Sequence, residues 1–331
     1  MVIDYSKIKK ILIIRLSSIG DILLATPLIR SIKKKYPATQ IDFLLRKEFT
    51  ELVTNNPHLS KIYSYNRDKS ENQLLVESLQ KENYQLVIDL QNNFRSRKIT
   101  RESGSPVLKF KKQNFKKFLL VHFKINLLKH ANKISERYAA NAQFKLDNDG
   151  LEFFTTHQPD LSLKENYSYI GLCHGSRHFT KRWLVEYFIE LGKKLESSGY
   201  KVVLFGSMDE SESARLISGQ LNSAINFCGE SLLQTAANLK ICKAVYTNDS
   251  GLMHLAAAMK VPVIAFFGST VREFGFFPFK ANSIELEVEN LSCRPCTHIG
   301  RSYCPKGHFK CMKEITPELA YQSLENLLAA K

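Results

Sequence analysis

The stretch Asn248-Asp249-Ser250-Gly251-Leu252-Met253-His254-Leu255-Ala256-Ala257-Ala258 decides how this chain reads. The apolar run Ala244-Val245-Tyr246-Thr247 precedes it, and a second run, Val261-Pro262-Val263-Ile264-Ala265-Phe266-Phe267-Gly268, follows it. Apolar run, polar turn, small-residue helix and apolar run make a strand–turn–helix–strand pattern. A turn feeding a helix N-terminus presents unpaired N–H groups and the positive end of the helix dipole. That is a seat for a phosphate or a polar sugar. In a doubly wound sheet, ligands bind at this carboxyl edge of the strands. The chain is expected to handle an anionic or sugar-containing small molecule.

Outward from that stretch, the same pattern opens the chain. Ile11-Leu12-Ile13-Ile14-Arg15-Leu16 runs into the polar turn Ser17-Ser18-Ile19-Gly20-Asp21. A helix is predicted over 22–35, with Leu24, Ala25, Leu28, Ile29 and Ile32 at helical spacing and Pro27 early in it. Further strands are predicted at 40–45, 61–65 and 85–90, and a helix at 71–82. The second half opens with Tyr169-Ile170-Gly171-Leu172-Cys173, the turn His174-Gly175-Ser176 and a helix over 184–197. Strands follow at 201–205, 224–227, 244–247 and 263–267, and an amphipathic helix at 317–329 behind the cap Thr316. Strands alternating with helices imply parallel sheets with right-handed crossovers. A chain of 331 residues is expected to form two domains of roughly 150 residues each. We place them at 1–155 and 156–315, with a linker over 147–166 and a last helix, 316–331, packing back toward the N-terminal domain.

Composition narrows the class. An apolar share of 44% is that of a globular protein, and no apolar run reaches the roughly 18–20 residues of a membrane span. The first residues, Met1-Val2-Ile3-Asp4-Tyr5-Ser6-Lys7, lack a leader pattern, so a cytoplasmic location is expected. Seven cysteines then read as reduced thiols or metal ligands rather than disulfides. The net charge of +15 is uneven: residues 95–137 hold thirteen Lys or Arg against Glu102 and Glu136. Such a block fits nucleic acid, an anionic membrane face or an acidic substrate, or a merely solubilising surface.

Four constellations can carry chemistry. Asp21 closes the first strand, where a carboxylate can deprotonate a hydroxyl nucleophile; it is equally placed to cap the next helix. One glycine in that turn, Gly20, is not the GxGxxG of a nicotinamide site. Gly175-Ser176-Arg177-His178-Phe179-Thr180-Lys181-Arg182-Trp183 offers Ser176 and Lys181 to a diphosphate, or is a basic turn over a buried tryptophan. In the opening stretch, Asp249 can accept from sugar hydroxyls while Ser250 and Gly251 give N–H groups; His254 is a ligand contact or a packing histidine. Cys293, Cys296, Cys304 and Cys311, with His298 and His308 among them, are a structural zinc site or reduced thiols.

Together these pieces resemble the bacterial heptosyltransferases, glycosyltransferase family 9. The resemblance is carried by Ile14-Arg15-Leu16-Ser17-Ser18-Ile19-Gly20-Asp21-Ile22, Val87-Ile88-Asp89-Leu90-Gln91, Lys181-Arg182-Trp183 and Asn248-Asp249-Ser250-Gly251-Leu252-Met253-His254. The tail Cys304-Pro305-x-Gly307-His308-x2-Cys311-Met312 resembles the heptosyltransferase II branch. The resemblance implies an α/β GT-B fold, two Rossmann-like domains facing across a cleft. It implies inverting transfer, without a catalytic metal or cofactor, from ADP-L-glycero-D-manno-heptose to the inner core of lipopolysaccharide. It makes Asp21 the general base and Lys181 the neutraliser of the ADP leaving group. Donor contacts are expected from Ser17, Ser18, Gly20, Ser176, Lys181, Asp249, Ser250, Gly251, Met253 and His254. Acceptor contacts are expected from Gln91, Arg95, Arg97 and Lys98. The chain would sit as a peripheral protein on the cytoplasmic face of the inner membrane. Two departures stand out: Asn92-Asn93 replace a usual glycine, and Phe110–His130 is unusually basic and aromatic, suited to anionic lipid or acceptor phosphates. Other readings are a family 9 transferase of another sugar, such as an N-acetylhexosamine, and a nucleic-acid-binding protein. No recognised nucleic-acid motif supports the latter.

Overall fold

The computed structural model describes residues 3–66 and 69–329. The chain divides into two compact units, Met1–Lys112 with Ile134–Phe154, and Gln113–Lys133 with Thr155–Lys331.

The first unit is built on five strands: β1 (Lys10–Ile14), β2 (Gln40–Arg46), β3 (Lys61–Tyr65), β4 (Leu86–Asp89) and β5 (Val107–Lys109). They lie in the order β3-β2-β1-β4-β5, every neighbouring pair parallel. The inner strands β1 and β4 are apolar on both faces and almost wholly buried, as a sheet covered by helices on both sides demands. The helix predicted over 22–35 is two helices, Ile19–Leu23 and Thr26–Lys35. Pro27 is the reason: it has no N–H to give the Leu23 carbonyl four residues back. The Thr26 hydroxyl takes that carbonyl instead, at 2.7 Å.

The second unit is built on six strands: β6 (Tyr169–Cys173), β7 (Lys201–Leu204), β8 (Ile225–Asn226), β9 (Cys242–Asn248), β10 (Val263–Phe267) and β11 (Ser283–Glu287). Their order is β11-β10-β9-β6-β7-β8, again all parallel. Trp183 is buried at the centre of this core, its ring stacked on Phe266 at 4.2 Å and its Nε1 donating to the Ile315 carbonyl at 2.7 Å.

In each sheet the chain starts at the middle, builds outward one way and then returns to build the other way. The switch points lie between β1 and β4, and between β6 and β9. Loops leaving neighbouring strands diverge there and leave an open crevice at the carboxyl edge. The turns singled out in the sequence follow these four strands.

Two expectations about organisation are corrected. The helix Pro317–Ala329, expected to pack back toward the N-terminal domain, packs on the core of the second unit: Ala320, Leu324 and Leu327 lie in the Trp183 core, and Tyr246 Oη donates to Ala320 O at 2.9 Å. Residues 113–133 lie in the second unit as well, although they fall inside the range expected for the first. Leu120 and Leu128 are the cause, because their apolar partner is Phe274. The end of the first unit is held by Arg30, whose guanidinium reaches Asp147 at 2.6 Å, Glu152 at 2.9 Å and the Gly150 carbonyl at 2.8 Å. The first part of the predicted linker is therefore fixed structure.

Candidate active site

In the first unit, candidate residues gather at the β1–β4 switch point. Asp21 sits in the first turn of the helix Ile19–Leu23, and its Oδ2 accepts from the Ser18 N–H at 3.3 Å and the Ser18 hydroxyl at 3.1 Å. Asp21 is thus part of the cap of this helix. Oδ1 faces Arg15 Nη2 at 2.6 Å and accepts from the Tyr138 hydroxyl at 3.3 Å. Burial pushes the Asp21 carboxyl up, but the Arg15 charge, with its hydrogen bond and those of Ser18, outweighs this and holds it below the ordinary value. The result is a shielded carboxylate that stays ionised. Arg15 is fixed in turn by donating Nη1 to the Leu90 carbonyl at 2.7 Å, with Tyr138 under its guanidinium at 5.7 Å. Burial, then the cations Arg15 and Arg97, hold the Lys112 ammonium below its usual value.

The turn after β4 is a brace for this arrangement. Gln91 Oε1 accepts from the Leu16 and Ser17 N–H groups at 3.0 and 3.2 Å. Asp89 is fully buried; it accepts from the N–H groups of Gln91 and Asn92 and from the Ser96 hydroxyl. Asn92 adopts φ of 41°, the left-handed region where glycine is usual and asparagine is the best-tolerated substitute. The Asn92 departure from the family pattern therefore preserves the turn. The Gln91 carbonyl oxygen, expected on the acceptor, is occupied by this bracing. Arg97 and Lys98, with Arg101 and Lys109, line a recess of about 530 Å³ that has no carboxylate among its lining residues. Arg95 is exposed but does not line it. Ser17, Ser18 and Gly20, expected on the donor, belong to this unit around Asp21, whereas the other donor candidates belong to the second.

In the second unit, candidate residues lie at the β6–β9 switch point. Asn248 ends β9 and repeats the bracing logic of Gln91: its Nδ2 donates to the His174 carbonyl at 2.6 Å, and its Oδ1 accepts from Trp183 N at 2.9 Å. The Lys181 loop is thus tied to the turn after β9. Lys181 Nζ stands 2.7 Å from Asp249 Oδ2, and the Thr270 hydroxyl donates to the same oxygen at 2.7 Å. The Ser176 hydroxyl approaches the Asp249 carbonyl at 3.5 Å. Ser250 and Gly251 start the helix Gly251–Ala258, and the Ser250 and Ser269 hydroxyls are buried without a hydrogen-bond partner. Burial lowers the His174 imidazole; burial and the cations Lys181, Arg177 and Arg182 lower that of His178. Gly175 permits a close approach, since a Cβ there would lie 1.8 Å from the Glu210 carboxylate.

Met253 and His254 were expected on the donor; the structure buries both inside the helix packing. That helix is apolar all round, so residues two and three positions past its start face core rather than turn. Of the four cysteines, Cys311 is buried and Cys293, Cys296 and Cys304 are half-buried. Cys293 Sγ and His308 Nε2 lie 3.8 Å apart, but among the described residues no group of three or more His, Cys, Asp or Glu is placed to hold an ion. Burial pushes the Cys311 thiol up to about 12 and raises that of Cys296, which keeps them protonated.

Arg15, Tyr138 and Thr270 contact these candidate residues and were not among the residues singled out from the sequence. Arg15 had a signal, a lone charge inside the apolar run Ile11–Leu16. Thr270 had a weaker one, the small polar run Gly268-Ser269-Thr270 at a strand end. Tyr138 had none, lying over a hundred positions from Asp21.

The sequence model described as glycosyltransferase family 9 (heptosyltransferase) matches residues 73–306. The chain is 28% identical to lipopolysaccharide heptosyltransferase 2 of Escherichia coli, over 96% of this chain and 98% of that one. It is 30% identical to lipooligosaccharide heptosyltransferase 2 of Campylobacter jejuni, over 94% and 95%. Among solved structures, it superposes on the E. coli ADP-heptose LPS heptosyltransferase II with a TM-score of 0.74 at 26% identity, covering 97% and 99% of the two chains. A family 9 glycosyl transferase from Veillonella parvula gives a TM-score of 0.80 at 22% identity, covering 100% and 99%.

Proposed function

Because this chain belongs to glycosyltransferase family 9, we propose that it moves a heptose from an ADP-heptose donor to the inner core of lipopolysaccharide. Kinship along nearly the whole chain with heptosyltransferases 2 supports that substrate pair. The observation that carries the donor half is Asp249, held between the Lys181 ammonium and the Thr270 hydroxyl at a helix N-terminus.

The chemistry follows from the residues. The ADP diphosphate sits at the turns after β6 and β9. Lys181 leaves Asp249 for the phosphates and neutralises the charge that develops as the anomeric bond breaks. The N–H groups of Ser250 and Gly251, at the positive helix end, add to that stabilisation. Asp249, released, accepts from heptose hydroxyls. On the acceptor side Asp21 takes the proton of the attacking hydroxyl, and Arg15 keeps it ionised to do so. The acceptor oxygen bonds to the anomeric carbon opposite the departing ADP, which leaves with the electron pair, so configuration inverts. The positive charge facing the leaving group comes from protein, and the scheme contains no cofactor or metal. The recess of Arg97, Lys98, Arg101 and Lys109 suits anionic groups of the acceptor. We place the chain as a peripheral protein on the cytoplasmic face of the inner membrane.

A transfer assay pairing ADP-heptose and a panel of other nucleotide sugars with truncated lipopolysaccharide acceptors tests the reading. Transfer from ADP-heptose in preference to the others is expected. Preferred turnover of a UDP-N-acetylhexosamine would overturn it.

A further inference from the structure

We propose that the helix Asn114–Phe123, with residues 124–128 behind it, is a preformed docking surface for an anionic lipid bilayer. The proposal rests on the reading above in one respect, that the acceptor is carried by a membrane. It does not depend on the role of any catalytic residue.

The sequence supplies the charge. Residues 103–135 contain eight lysines and no Asp or Glu. The structure supplies the apolar face. Only Leu120 of this helix is buried; it packs with Leu128 and Phe274, and Val121 lies partly buried against them. On the remaining surface Phe115 is 71% exposed, Phe118 50% and Phe123 61%, followed by Ile125 and Leu127, each at least half exposed. Five of the fifteen exposed large apolar side chains among the described residues fall in these thirteen positions. The rings form a cluster, with Phe118 at 4.5 Å from His122 and 5.9 Å from Phe123. Scattered exposed hydrophobes need no explanation, but a contiguous aromatic patch does.

The surface is held in place rather than loose. Lys124 Nζ donates to the carbonyls of Val121, Cys293 and Pro295, at 3.1, 3.2 and 2.7 Å. Asn126 donates to Glu273 Oε1 at 2.8 Å, and Lys117 lies over the Phe276 ring at 5.9 Å. Lys116 and Lys129 of the same segment are exposed.

Aromatic rings flanked by lysines suit a bilayer interface, where rings enter the headgroup boundary and ammonium groups meet lipid phosphates. No helix among the described residues is long and apolar enough to cross a membrane, so this one lies on the surface. A second copy is a poorer occupant, because two-fold pairing of this face sets lysines against lysines. Each lysine near an anionic surface contributes about fivefold to partitioning.

The test is co-sedimentation of the full chain with vesicles of phosphatidylethanolamine and phosphatidylglycerol, against vesicles of phosphatidylcholine. Wild type is expected to pellet with the anionic vesicles and, at most weakly, with the neutral ones. Lys116→Glu with Lys129→Glu, and separately Phe115→Ser with Phe118→Ser and Phe123→Ser, are each expected to lower the partition constant more than about tenfold. Turnover on a deacylated, water-soluble acceptor is expected to stay unchanged, which shows that the variants are folded. Wild type remaining in the supernatant, or variants pelleting like wild type, would overturn the proposal. So would variants that lose self-association by light scattering, or oligonucleotide binding, while vesicle binding persists. Vesicle binding without any heptose transfer would leave the docking surface standing and remove the heptosyltransferase reading instead.

Discussion

Removing the guanidinium that faces Asp21 perturbs the first unit's candidate residues most informatively. Arg15 Nη2 lies 2.6 Å from Asp21 Oδ1, and the two side chains are only 9% and 18% exposed. Arg15→Gln removes one partner of a shielded pair, which costs about 3–5 kcal/mol. Asp21 keeps some contact with solvent and glutamine restores a donor, so the lower end, about 3 kcal/mol, is expected. At about 2–4 °C per kcal/mol, the melting temperature falls by about 6–12 °C. The carboxyl also changes character. Burial pushes it up and Arg15 is the main group opposing that, so in the variant it rises. A base must be ionised to accept a proton, so the acid limb of kcat/KM moves to higher pH. The stability change has a definite sign as well. A depressed carboxyl contributes stability above the ordinary carboxyl range and loses it as pH falls through the folded value. The gap in melting temperature between wild type and variant therefore narrows on acidification. Thermal unfolding across pH, beside pH–rate profiles with a soluble acceptor, measures both effects. An acid limb that does not move while the melting temperature falls would refute the claim that Arg15 sets the ionisation of Asp21.

Three further outcomes follow from the same structure. Lys181→Met is expected to lower kcat about 10²–10³-fold in steady-state transfer assays, since it removes the main charge opposite the leaving diphosphate. Gly175→Ala sets a Cβ 1.8 Å from the Glu210 carboxylate, and calorimetric titration with ADP should show affinity down at least about tenfold with the fold intact. Arg30→Met takes the shared guanidinium from Asp147, which keeps Lys34, and from Glu152; it lowers unfolding free energy in urea by about 3 kcal/mol and leaves ADP affinity unchanged.

What the sequence shows and what it hides divide along physical lines. Strands β6 and β10 are buried on both faces, so their limits, Tyr169–Cys173 and Val263–Phe267, stand as apolar runs between turn residues. The polar turns at Asp21 and Asp249 are equally plain, because each interrupts apolar sequence at a strand end. The edge strands β5 and β11 were missed, being short or half-exposed and lacking such contrast. Long-range partners carry no local signal: Tyr138 reaches Asp21, and Phe274 draws residues 113–133 into the second unit, through tertiary packing alone. The cysteines pose the opposite case. Their spacing admits a zinc site, but Cys311 serves the core at the start of the helix Lys310–Lys313.

Replacing the Asp21 carboxylate by its neutral isostere tests the central claim most directly, with turnover and ADP affinity read on the same preparation. If Asp21 is the base, Asp21→Asn lowers kcat about 10²–10⁴-fold. The dissociation constant for ADP stays at the wild-type value, because Lys181, Asp249 and Thr270 are untouched. Turnover retained within a few-fold of wild type, or ADP affinity lost in step with turnover, would contradict the account.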